Sequence, residues 1–133
     1  MLECLIIGDS IAVGTKQFAP QCELVGKGGI NTWQFNRDYR QDLSAKHVII
    51  SLGTNDHSGV NTRKELEATR SRIAKDSRVF WILPAIKPNI QGIVRDIAAK
   101  YGDTVISTLK LDKDGIHPSW SGYKDLAEYA RKN

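Results

Sequence analysis

The chain has 133 residues, 41% hydrophobic and 26% charged, with a formal net charge of +4 and a pI of about 9.1. That length supports one hydrophobic core, so one domain over 1–133 is expected, and no apolar run approaches the length of a membrane span. The basic residues are scattered, with no basic run and no aromatic-interleaved stripe, which reads as a solvated surface and not as a nucleic-acid or membrane partner.

The N-terminus shows no basic segment followed by an apolar segment and a cleavage site, so the expected location is the cytoplasm. Cys4 and Cys22 lack metal-ligand spacing and read as small buried apolar residues in strands.

Short apolar runs at 2–7, 23–25, 47–52, 79–83 and 104–107 read as strands. The third contains VIISL and the fourth VFWIL, apolar at nearly every position, as strands covered on both faces are. Helical segments separate them. In NTRKELEATRSRIAK, Thr62 and Glu65 form a candidate capping box. In PNIQGIVRDIAAKYG, Ile90, Ile93, Val94, Ile97, Ala98 and Tyr101 recur at helical spacing, with Pro88 at the start and Gly102 as the stop. The last helix, roughly 121–131, puts Tyr123, Leu126, Ala127 and Ala130 on one face. Five strands joined by crossover helices predict an α/β fold, a three-layer α/β/α sandwich around a five-stranded parallel sheet.

Ligands of such a sheet bind beyond the carboxyl ends of the strands. The unusual residues of this chain collect there: Gly8-Asp9-Ser10, then GKGGINT, then SLGTNDHS, and last LDKDGIHPSW. Ser10 at a strand-to-helix junction is a candidate nucleophile, although Asp9 or Ser10 can also serve simply as a helix cap. A serine nucleophile needs a base. Asp114-Gly115-Ile116-His117 supplies one, with an acid three residues earlier that can orient the ring. His57 is the rival base but has no acid at a workable spacing in a loop, and His47 precedes a strand at the opposite end of the sheet. Candidate oxyanion donors are the Ser10 N–H, the Gly29 N–H and the Asn55 amide.

These blocks resemble those of the SGNH hydrolases, the GDSL esterase/lipase family. Gly8-Asp9-Ser10 matches the first block, with Ile11 where the family has Leu. GGINT matches the second, with Gly29 as its oxyanion glycine and Gly28 as the alternative. Gly53-Thr54-Asn55-Asp56 matches the third, and Asp114 to Pro118 the last. The resemblance runs from Ile6 to about Tyr123. It implies a flavodoxin-like sheet, Ser10 as nucleophile, His117 as base and Asp114 as its orienting acid. It further implies an acyl-enzyme intermediate, an oxyanion hole of Ser10, Gly29 and Asn55, and no metal or organic cofactor.

The loops are short for a lid or an acyl tunnel, so an open site and a short acyl group such as acetyl are expected. Asp9, Trp33 and Trp120 are the candidate substrate contacts, the two indoles suiting a sugar face, while Trp81 lies in an apolar strand and reads as core. The expected partner is a small-molecule or carbohydrate ester. Lys87 reads either as a solvated lysine or as a contact for an anionic leaving group. The same residues also suit acyl transfer to another hydroxyl. A non-catalytic binding module is the alternative from another class, and an intact Ser10, Asn55, Asp114 and His117 argue against it. A nucleotide binder ranks last, because GKGGINT lacks the pyrophosphate-cradling spacing. The oligomeric state is not legible.

Overall fold

A computed structural model describes residues 1–131. The strands are β1 (Leu2–Gly8), β2 (Glu23–Gly26), β3 (Ala45–Ser51), β4 (Arg78–Ile82) and β5 (Thr104–Ile106). The helices are α1 (Ser10–Gln17), α2 (Thr32–Asp38), α3 (Thr62–Ser71), α4 (Pro88–Tyr101) and α5 (Trp120–Ala127). All strand pairs are parallel, in the order β2-β1-β3-β4-β5. This is the expected three-layer α/β/α arrangement with flavodoxin-like strand order. The chain leaves β1 for β2 on one side and returns to β3 on the other, so the topological switch lies between the carboxyl ends of β1 and β3, where such sheets bind ligands.

The strand period of two divides the core into two layers. Leu5, Ile7, Val48, Ile50, Val79 and Trp81 face one way, packing with Phe35, Leu66, Ile90, Val94 and Ile97 of α2, α3 and α4. Ile6, Ile49, Phe80, Ile82 and Ile106 face the other, against Ile11 and Ala12 of α1 and Leu126 and Ala127 of α5. Trp81 is buried as expected, and its indole N–H donates to Asp103 Oδ2 at 2.9 Å.

Three local expectations are corrected. Cys4 and Cys22 are buried but not free: they form a disulfide, and Cys22 precedes β2 instead of lying in it. Disulfides persist in oxidising compartments and are rare in the cytosol, so this bond weighs against the cytoplasmic expectation. No helix among the described residues is long and apolar enough to cross a membrane. The Thr62–Glu65 capping box is absent. Asn61 caps α3 through the Lys64 N–H, and the Thr62 hydroxyl turns to the Asp56 carboxylate instead. A reciprocal capping box sits on α2, between Asn31 and Gln34. Finally, the last helix tightens into a 3-10 turn over Glu128–Arg131.

Opposite the ligand edge, Arg70 of α3 grips Asp103 just before β5. Arg70 Nε and Nη2 donate to the two carboxylate oxygens at 2.7 and 3.0 Å, and the paired side chains are 3% and 4% exposed. Removing one partner of such a pair strands the other charge in the interior. Asp103→Ala should therefore lower stability by about 3–5 kcal/mol, measured by urea denaturation. The Cys4–Cys22 bond closes a loop between residues 18 apart in sequence, and its reduction should cost a further ~3 kcal/mol in the same assay. Unchanged midpoints would contradict both.

Candidate active site

Gly8 ends β1 with φ at +136°, and a Cβ there would overlap the Ser51 carbonyl oxygen, so only glycine lets β1 and β3 approach this closely. The chain turns at once. Asp9 is the N-cap of α1, its Oδ1 accepting from the Ile11 N–H at 3.0 Å and from the Ser51 hydroxyl at 2.9 Å. Ser10 is then the first residue of α1, where a backbone N–H has no acceptor within the helix. The cap reading of this turn falls on Asp9, and Ser10 stands at the first position of the helix.

Ser10 Oγ lies 2.9 Å from His117 Nε2. His117 Nδ1 lies 2.7 Å from Asp114 Oδ2. A carboxylate only accepts, so Nδ1 carries the proton, and Nε2 of the neutral ring accepts from the Ser10 hydroxyl. The local turn explains how a spacing of three residues orients the ring. Asp114 Oδ1 accepts from the backbone N–H groups of Ile116 and His117, at 2.9 and 3.0 Å, leaving Oδ2 for the imidazole. Those backbone donors, then the ring, hold the Asp114 carboxyl down at about 2. The site is open: the side chains of His117 and Asp114 are 40% and 47% exposed.

Gly29 adopts φ +78°, the left-handed region that favours glycine, in an exposed turn. Its neighbour Gly28 stands beside Ser10, for a Cβ at Gly28 would lie 3.8 Å from Ser10 Cβ. Asn55 follows β3 and is part-buried. Its Nδ2 donates one hydrogen to the Ile30 carbonyl at 3.0 Å, and an amide nitrogen carries a second. Asp56 is buried and accepts from the Thr32 N–H, the Thr32 hydroxyl and the Thr62 hydroxyl, at 2.9, 2.7 and 2.6 Å. Asn55 and Asp56 together tie the loop after β3 to the glycine loop and to α3.

The other candidates separate. Asp9 is fully buried, which corrects its assignment as a substrate contact: its carboxylate is engaged in the cap and with Ser51. Trp33 and Trp120 stand half and three-quarters exposed at the first turns of α2 and α5. The Arg37 guanidinium lies 4.9 Å from the Trp33 ring centre, and Phe18 meets Trp120 edge-on at 5.3 Å. His57 is exposed and accepts from the Gly59 N–H within its own turn, while His47 stacks on Phe80 away from the site. Lys87 is part-buried, and its Nζ donates to the Thr54 and Asp56 carbonyls. Sequence reasoning missed Lys87, Ser51 and Thr32 as supports of the site. Lys87 lies in the expected loop after β4, but nothing in the sequence says which way its side chain turns.

Among the solved structures that match, two align over nearly the whole chain. One is a "putative acylhydrolase" of Bacteroides fragilis NCTC 9343, with a TM-score of 0.65 and 21% identity, covering 95% of this chain and 83% of that one. Another is a member of the lipolytic protein G-D-S-L family from Veillonella parvula DSM 2008, with a TM-score of 0.62 and 18% identity, covering 96% and 94%. The chain carries the fold of the SGNH/GDSL hydrolases. No protein-family model and no curated protein matches it.

Burial pushes the Asp9 carboxyl up to about 6, against the hydrogen bonds from Ser51, Ile11 and Ala12 that favour its charged form. The ordinary value is 3.8, so the folded state holds this proton more tightly than the unfolded chain does. The stabilisation is complete below that value and is lost as pH rises through about 6. Asp9→Asn cannot titrate. Its stability relative to wild type should rise between pH 4 and pH 8 by up to about 3 kcal/mol, followed by denaturant unfolding. A constant difference would refute the linkage.

Proposed function

We propose that the chain is a serine esterase that hydrolyses short acyl esters of the acetyl type, including O-acetyl groups on carbohydrates. The observation that carries this reading is the unbroken hydrogen-bonded line from Ser10 Oγ through His117 to Asp114 at the carboxyl edge of the sheet.

Ser10 Oγ attacks the ester carbonyl as His117 Nε2 takes its proton, and Asp114 steadies the imidazolium that results. The negative oxygen of the tetrahedral intermediate is met by the Ser10 N–H, the Gly29 N–H and the second hydrogen of Asn55 Nδ2. The position of Ser10 at the start of α1 adds the favourable end of the helix dipole. Collapse expels the alcohol, which leaves with the proton from His117, and Ser10 keeps the acyl group. Water attacks that acyl-enzyme with His117 again as base. The carboxylic acid departs, and the hydroxyl of Ser10 is restored. Half-exposed His117 and Asp114 suit a small acyl group and a bulky, solvated alcohol, and exposed Trp33 and Trp120 offer faces for a sugar ring.

Hydrolysis of p-nitrophenyl acetate tests the reading. Wild type should turn over well above buffer, and Ser10→Ala should lose roughly 10^4-fold or more in kcat while remaining folded. Acetyl should be preferred to octanoyl. Equal rates for wild type and Ser10→Ala would leave the Gly-Asp-Ser turn as a helix start and nothing more.

A further inference from the structure

Lys87 is the only non-glycine residue at positive φ among the described residues, at +65°. That conformation is unfavourable for a residue with a Cβ, and Pro88 follows directly, a neighbour that itself favours extended backbone. The strained turn sends the side chain back across the sheet edge to the loop after β3. There Nζ donates to the Thr54 carbonyl at 2.7 Å and to the Asp56 carbonyl at 2.6 Å. These two carbonyls flank Asn55 on either side in sequence. Charge-assisted bonds of this length are among the stronger hydrogen bonds in proteins. The Asp56 N–H returns to the Gly53 carbonyl at 3.0 Å, which closes the turn that the ammonium grips.

We propose that Lys87 is a positioning residue: its ammonium ties together the carbonyls of the residues before and after Asn55 and so sets the amide for the oxyanion. This rests on the esterase reading above. Loss of an oxyanion donor typically costs 10²–10³ in kcat, and the donor is effective only when it is already aimed. Lys87 therefore acts through Asn55 and not on the substrate.

Lys87→Met keeps the aliphatic stem and removes the donors. On p-nitrophenyl acetate it should lower kcat about tenfold or more, with KM within about twofold. Asn55→Ala should lose roughly 10²–10³, and the double variant should be no slower than Asn55→Ala alone. Lys87→Gly relieves the strained backbone yet also lacks the ammonium. It should match Lys87→Met in rate while being at least as stable as Lys87→Met, which a purely structural role does not produce. In the folded Lys87→Met variant, the Asn55 side-chain NH2 resonances should shift and broaden. A wild-type kcat in Lys87→Met, fully additive losses in the double variant, or unmoved Asn55 resonances would each overturn the proposal. Equal rates in wild type and Ser10→Ala are a different failure: the esterase reading falls, and the positioning role falls with it.

Discussion

The Asp9 carboxylate is the contact on which the mouth of the sheet depends. One buried oxygen receives the Ile11 N–H in the first turn of α1 and the hydroxyl that ends β3, so the turn after β1, the end of β3 and the start of α1 meet on a single atom. The Asp9 N–H adds a bond to the Ser51 carbonyl, made possible by the missing side chain at Gly8. The next residue along has no freedom left: Ser10 must sit at the first helical position with its hydroxyl toward the loop that carries His117. Burying a carboxylate here is unfavourable, as its raised affinity for a proton shows, and the cap and the Ser51 hydroxyl offset only part of that.

Three aspartates near this edge differ by environment alone. Asp9 and Asp56 are buried and accept from hydroxyl and N–H donors of the fold, Asp9 through Oδ1 alone. Asp114 is half-exposed, takes two backbone N–H groups on one oxygen and keeps the other for the imidazole. The first two join segments of chain, and only the third faces a group able to exchange a proton with a serine. Residue type does not separate these roles, whereas burial and the identity of the donors do.

The strands and the order of the motifs were legible because burial on both faces and glycine-rich strand ends leave plain marks. VIISL and VFWIL lie in or at the ends of two central strands, and Pro88 and Gly102 bound α4 as read. The partner a side chain takes was legible for Ser10 and His117, where motifs marked both ends, and not where nothing did. Thr62 and Glu65 have the spacing of a capping box, but Asp56 competes for the Thr62 hydroxyl from six residues away, and Asn61 takes over the cap. Cys4 and Cys22 look like two small apolar residues until the parallel pairing of β1 with β2 brings them side by side. Lys87 offers no signal at all, because its two acceptors are main-chain carbonyls.

The Cys4–Cys22 bond also has a topological side. The covalent ring it closes contains the end of β1, the Gly-Asp-Ser turn and all of α1. Ser10 therefore travels on a cyclic segment. A single protease cut anywhere between the two half-cystines leaves one continuous molecule, with both new ends still joined to the rest of the sheet through sulfur. Strand β2, only four residues long and paired on one side, gains the same insurance against detachment.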